Sequence, residues 1–428
     1  MPATMSTLFL LLSWEPFART FGGKAHDGAY SVIQTTDESL ALAGMTMSFG
    51  AGHKDMLILR LDTVWKLIWA RTFGGAGADY AYSVIQAKDW GFAISGATTS
   101  FGAGNYDVLV LKVDSLGNIL WARTIGGKGP DYANSVIQTQ DGGFALAGGT
   151  ASFGAGDADF FLIKLDSLGN LVWAKTFGDT SGNYAESVIQ TADGGFVLAG
   201  WTWVSDSTRY DILIVRTDTA GNLLWARTFG GTDYARSMIQ TADEGFAVAG
   251  TMNSTSGNCD AVVLRLDSLG NLAWARSIGG PCNDEAFCLI QSPDGSFVVA
   301  GDTESFGSGN WDCLVFSLDA DGNLLWARTF GGKDTDWAYS VARTRDEGFV
   351  VGGWTKSFGA GADDFLLISL DQEGSCRDCI HECSPEVMTP ELSASLTEVK
   401  VADCSPSMSE PFLTITKPDI VSKNPCTR

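Results

Sequence analysis

The sequence predicts an all-β chain folded as a seven-bladed β-propeller of four-stranded blades, closed into a ring, with an extended C-terminal tail. Three observations carry this: a repeat period near 52 residues, four short apolar segments in each period, and two chain ends that complete each other. The motif W-A-R-T-F-G-G, or a near copy, recurs at Phe17, Trp69, Trp121, Trp173, Trp225, Trp274 and Trp326, in steps of 52, 52, 52, 52, 49 and 52 residues. A fixed period of this length decides the fold before local propensities do, because each unit buries its apolar faces only against its neighbours.

Within a unit the four segments read AYSVIQT, GFALAGGT, DFFLIKLD and NLVWAKTF. Val, Ile, Phe and Trp suit pleated surfaces, and the breaks carry turn chemistry: D-G-G after the first segment and D-S-L-G-N after the third. The other two connections, FGGxGxDYA and SFGAGxxD, are longer and rich in glycine. Four antiparallel strands followed up and down put both long loops on one face of the ring and both tight turns on the other. The first unit opens with only its fourth strand, Glu15 to Phe21, and the last stops after its third, Asp364 to Asp371. Joined, they make one blade, so closure requires the N-terminal strand to pair with the C-terminal one, which also removes exposed edges.

The units, FGG…DxA.S…Q..DGGF…GxT.S.G.G..D…K.D..GN..W, resemble the secreted bacterial and archaeal β-propeller repeat proteins of unknown function, over Phe17 to Asp371. That resemblance implies an exported propeller with no established chemistry. The D..GN..W element is also similar to the tryptophan-docking pattern of quinoprotein propellers. It implies a packing role for Trp69, Trp121, Trp173, Trp225, Trp274 and Trp326, whose large rings would wedge neighbouring blades together.

Composition narrows the function classes. At 45% hydrophobic and 18% charged residues the 428-residue chain is a folded protein, and its net charge of −22, without clustered Lys or Arg, disfavours nucleic acid. No segment is apolar enough for a transmembrane span, since Leu8 to Leu12 is far too short. Residues 1–13 read as a lead-in or as the remnant of a signal peptide incomplete in this sequence, residues 14–373 as the propeller, and residues 374–428 as a stalk-like or disordered tail. The tail repeats itself: Cys383-Ser-Pro and Cys404-Ser-Pro are followed at equal offsets by Pro390 and Pro411, then Leu392 and Leu413. Five of nine cysteines (Cys376, Cys379, Cys383, Cys404, Cys426) lie in the last 53 residues, which points to disulfides and to a secreted or cell-surface location. Cys259, Cys282, Cys288 and Cys313 fall in neighbouring blades, where one or two local bridges are expected.

Aspartates recur in four registers, represented by Asp89 and Asp114 at the tight turns and by Asp55 and Asp79 in the long loops. A short carboxylate that fixes a turn must repeat with the blade, whereas a binding site need not, so turn-making is expected ahead of a ring of calcium sites. Calcium is the one cofactor with any support; otherwise none is expected. His26 and His53, in the two long loops of one unit, lack a third nitrogen ligand for a metal. CRDCIHEC, from Cys376 to Cys383, has the C-x-x-C spacing but not the adjacent histidine that haem attachment needs.

Binding residues are expected on the long-loop face, where Tyr80, Tyr132, Tyr184, Tyr234 and Trp337 follow the interblade acid and Tyr106, Tyr210 and Trp311 stand in the internal loop. Such rings stack on sugars, or cap the core between blades. Arg343, in the place of a glutamine found in the other six units, joins them as a candidate. No unit breaks pattern with catalytic residue types. The expected function is therefore a non-enzymatic, monomeric binding or interaction scaffold for a glycan or protein ligand. A carbohydrate-active hydrolase or lyase is the first alternative, and a quinone-dependent dehydrogenase the second.

Overall fold

In the computed structural model, residues 18–376 are described except 205–208, 231–233, 254–256 and 360; beyond Cys376 only the backbone of seven short strands between His381 and Lys423 is described. Residues 18–370 form seven four-stranded antiparallel blades in a ring, a seven-bladed β-propeller. Blade 1 comprises Asp27–Gln34, Leu40–Thr46, Asp55–Leu61 and Leu67–Gly74. Blades 2 to 6 repeat this plan. Blade 7 takes Asp336–Arg343, Phe349–Thr355 and Asp364–Leu370 from the end of the ring and Ala18–Gly22 from its beginning. The joint pairs Ala18 with Ile368 and Phe21 with Phe365. The segments expected at Glu15 to Phe21 and Asp364 to Asp371 are thus neighbours in one sheet; residues 1–17 lie outside the described residues.

Strand burial follows position in the blade. The second and third strands, such as Phe144–Thr150 and Asp159–Leu165, are buried along their whole length because blades pack on both of their faces. The core is accordingly not one cluster but seven layers, each shared by two blades: Ala43 and Ile58 of blade 1 pack with Ile94 and Leu111 of blade 2. The fourth-strand motif W-A-R is what docks one blade on the next. Trp121 meets Phe144 of blade 3 edge-on at 5.6 Å and Trp173 meets Phe196 of blade 4 at 5.8 Å, with the same pairing at Trp69–Phe92, Trp225–Phe246, Trp274–Phe297 and Trp326–Phe349. Each phenylalanine so buried contributes about 1.5–3 kcal/mol. The arginine completes the joint: Arg276 stacks on Trp274 at 5.4 Å and donates to the Asp321 carbonyl in the next blade's turn at 2.9 Å.

The tight turns need a left-handed residue, usually Gly117, Gly169 or their equivalents at φ near +80°. Trp65 holds that position in blade 1 at φ 61°, and Trp90 the corresponding one in blade 2's first turn at φ 67°. The expected local bridges among Cys259, Cys282, Cys288 and Cys313 do not form, and no disulfide joins the described cysteines. The reason is packing: Cys313 is fully buried and Cys288 packs in the same layer, where loss of hydration pushes both thiols up. Cys379, Cys383, Cys404 and Cys426 lie outside the described residues. No helix is long and apolar enough to cross a membrane among the described residues.

Candidate functional site

The innermost strand carries D-x-A-z-S in five blades, with Asn183 for the Asp in blade 4 and Cys288 for the Ser in blade 6, and the backbone breaks register there: Ala29 pairs with Gly44 and Ser31 with Ala43, leaving Tyr30 as an unpaired bulge residue. The same irregularity falls at Tyr82, Glu186, Arg236, Phe287 and Tyr339. A bulge adds a residue and re-aims its side chain, here toward the ring axis. The facing glycine makes it feasible: a Cβ on Gly200 would stand 1.9 Å from the Tyr184 carbonyl oxygen, and one on Gly96 1.8 Å from that of Tyr80.

These side chains line a cavity of about 750 Å³ at the long-loop end of the axis, formed by Tyr30, Tyr82, Asn134, Glu186, Arg236, Phe287 and Tyr339 with Tyr80, Tyr106, Tyr132, Glu285 and Trp337. One arc of its wall is aromatic. Tyr30 lies 5.8 Å from Tyr82 and 5.3 Å from Tyr339, and burial, before the neighbouring charges of Tyr80 and Asp363, pushes its hydroxyl up to about 12. The opposite arc is polar. The Glu186 carboxylate accepts from Asn134 Nδ2 at 3.0 Å and from Trp201 Nε1 at 3.2 Å, with Arg236 at 3.4 Å. Its side chain keeps 18% exposure, yet it sits deep enough in the funnel that lost hydration dominates over Arg236 and raises its pKa. Arg236 lies over the rings of Tyr234 and Phe287, at 5.0 and 5.8 Å.

A second acid stands behind the wall. Asp302 is the cross-strand partner of Glu285, is wholly buried, and has no hydrogen-bond partner for either carboxylate oxygen among the described residues. Burial, then the charge of Glu285, pushes its pKa well above the usual carboxylate range. The Trp337 indole N–H, also buried, lacks a partner as well. Unsatisfied buried donors and acceptors cost about 1–3 kcal/mol each and are retained where a ligand or water completes them.

The residues expected from sequence divide. Tyr80, Tyr106, Tyr132 and Trp337 line the cavity, and Trp311 packs beside Trp337 at 6.1 Å. Tyr184, Tyr210 and Tyr234 instead gather around Trp201, the first stacked on it at 4.6 Å, and form its outer buttress. Arg343 is corrected: it ends its strand on the tight-turn side, in a separate groove of about 280 Å³ with Asp294, Glu347 and Gln372. The glutamines it replaces are inter-blade ties; the Gln86 side-chain oxygen accepts from Thr36 N–H and that of Gln190 from Gln140 N–H. Against the expectation that no unit breaks pattern with catalytic residue types, Glu186 and Glu285 bring carboxyl groups to the cavity, and Asn134 and Arg236 depart beside them. For Asn134, Glu186 and Arg236 the mark in the sequence is that z in D-x-A-z-S reads Tyr, Tyr, Asn, Glu, Arg, Phe, Tyr; Glu285 stands at x, where the other units carry Gly28, Trp337 or a tyrosine.

Among the described residues no group of three or more His, Cys, Asp or Glu is arranged to hold a metal ion. His26 is engaged by Asp363, and the His53 amide by the Gly77 carbonyl at 3.0 Å. The aspartate registers serve the backbone. Asp114 accepts from the amides of Leu116 and Asn118 at 2.8 and 2.9 Å, and Asp79 from the Gly75 amide at 2.9 Å and the Ser100 hydroxyl at 2.7 Å.

No protein-family model matches the chain. The regulatory protein FlaEY of Caulobacter vibrioides is 26% identical over 185 residues, 40% of this chain but only 19% of that protein's length. Among solved structures, a puromycin hydrolase superposes with a TM-score of 0.50 at 14% identity, covering 81% of this chain and 52% of its own. PorZ, a bacterial surface component of the type-IX secretion system of Porphyromonas gingivalis, gives 0.47 at 12% identity, covering 82% of this chain and 47% of its own. Likeness at these identities shows the propeller fold alone.

Proposed function

We propose that the protein is a non-enzymatic, exported binding module that takes a glycan in the axial funnel. One observation carries this: the blades share one repeat pattern yet differ at the bulge position aimed at the axis, and differ there into a set that is half aromatic platform and half hydrogen-bonding wall. Sugars need that pairing, with rings for their C–H faces and charged or amide groups for their hydroxyls. Export rests on the resemblance to secreted propellers, and a single closed ring has no need of a second copy. A panel of polysaccharides and oligosaccharides tests the reading: retention without turnover is expected, and no retention of any sugar contradicts it.

A hydrolase is the second reading, favoured by Glu186. A buried carboxyl with a raised pKa beside an arginine has the character of a general acid. Release of reducing ends by the wild type, lost in Glu186→Gln, decides for it.

A further inference from the structure

Each blade ends in a fourth strand whose outer edge faces away from the ring, and an unpaired strand edge is a template for pairing with other chains. The seven short strands beyond Cys376 lie one on each of these edges, all antiparallel. His381–Glu382 pairs with blade 6, Glu386–Met388 with blade 5, Ser393–Leu396 with blade 4 and Lys400–Asp403 with blade 3. Ser407–Ser409, Thr414–Thr416 and Val421–Lys423 follow on blades 2, 1 and 7. The chain thus visits the blades in reverse order and finishes on Ala18–Gly22, the strand that closes the ring.

The register is constant. Equivalent blade residues Ile278, Phe229, Phe177, Ile125, Phe73 and Phe21 face Val387, Ala394, Val401, Met408, Ile415 and Ser422, each seven residues after the last. The six described positions therefore read Val, Ala, Val, Met, Ile, Ser. The spacing of 21 residues between Cys383-Ser-Pro and Cys404-Ser-Pro is three such steps. A free stalk has no reason to carry a period matched to one step per blade, nor an apolar residue at five of the six positions.

We propose that the seven strands between His381 and Lys423 form a belt that encircles the propeller, adding a fifth strand to every blade and holding the ring-closing strand from its second side. Its occupant is the protein's own tail, in place of the stalk or disordered end read from its composition. Seven residues span at most about 25 Å, enough for one short strand and a return to the next blade. The belt lies on the perimeter and is independent of the funnel's ligand.

Amide hydrogen exchange tests this on the full chain, on a chain ended at Cys376, and on two internal variants. In the full chain, outward amides of Thr72–Gly74 and their equivalents are expected to exchange about 10-fold or more slowly than in the shortened chain. Ile415→Pro, which removes one strand's amide donor, is expected to expose the blade 1 edge alone. Deleting residues 397–399, between the strands on blades 4 and 3, is expected to release blades 3, 2, 1 and 7 while blades 6, 5 and 4 stay protected. If the shortened chain aggregates, the two internal variants still decide. Equal edge exchange with and without the tail overturns the belt, and so does protection that appears only with dimer on a sizing column, which assigns the tail to a second copy.

Discussion

The two faces of the ring each carry aspartates that recur with the blades and handle them in opposite ways. On the tight-turn face the carboxylates are held charged. The Thr191 hydroxyl and then the Arg216 guanidinium, which donates at 2.5 Å, hold Asp193 at about 2, and the Asn170 side chain and amide lower Asp166. The equivalent pairs Lys112–Asp89 and Lys164–Asp141, at 2.8 and 2.9 Å, set a nearly buried cation under each exposed turn acid. On the long-loop face the acids are drawn between blades and burial dominates. Asp55, Asp107, Asp131, Asp159, Asp284 and Asp336 all have raised pKa values with loss of hydration as the first cause. The tight-turn face spends its charge on local backbone order, while the long-loop face tolerates poorly solvated acids around a cavity, as functional faces do.

The largest expected effect separates the two faces by sterics. Gly200→Ala drives a Cβ into the Tyr184 carbonyl and closes the bulge that aims Glu186; a loss of about 3 kcal/mol in chemical denaturation is expected. Gly142→Ala, in an open tight turn with nothing within 4 Å, is expected to cost only about 1 kcal/mol for its positive φ. Equal costs would erase the distinction.

Acid and base titration of stability separates the faces by sign. Asp193 and Asp141, held at about 2 in the fold against about 3.9 unfolded, stabilise above pH 4, and that contribution is lost as pH falls toward 2. The raised long-loop acids do the reverse: their penalty is absent below the unfolded pKa and grows as pH rises through the folded value. Asp55→Asn is expected to stabilise at pH 7 by about 1 kcal/mol, because the unpartnered Asp55 Oδ1 faces Asp79 and an amide N–H would bond there. Nature makes a related exchange in blade 4, where Asn183 replaces the interblade acid. Asp193→Asn is expected to destabilise by about 1 kcal/mol or less, since its side chain is 64% exposed and screened. Urea midpoints at pH 4 and 7 check both, and matching signs would contradict the comparison.

The smallest effect is conformational. Trp90 is 56% exposed at φ 67°, where Gly142 and Gly194 stand in other blades, so Trp90→Gly is expected to stabilise by about 0.5–1 kcal/mol. A lower thermal midpoint would show that the indole packs usefully.

Where a feature repeats, it was legible. The ring closure followed from the ends of the repeat, to within a few residues of the Ala18–Ile368 pair, and the turn aspartates from their invariance. The site was only partly legible: the position after the interblade acid in the long loops points to x, occupied by Tyr80 and Tyr132, whereas z lies inside the strand and is turned to the axis by a bulge, a backbone event with no residue signature of its own. Glu186 and Arg236 stand in a column that does not recur, so the repeat pattern carries no signal for them. Arg343 misled for the converse reason; it varies, but at the other end of the strand.

Calorimetric titration of a retained oligosaccharide tests most directly that the varied face is the binding face. Tyr82→Ala and Glu186→Gln are each expected to weaken binding about 10- to 100-fold, by removing a stacking ring or a charged acceptor worth about 1–3 kcal/mol, while Arg343→Ala and Trp90→Ala leave it unchanged. Binding that survives both funnel substitutions, or fails with either tight-turn one, would contradict it.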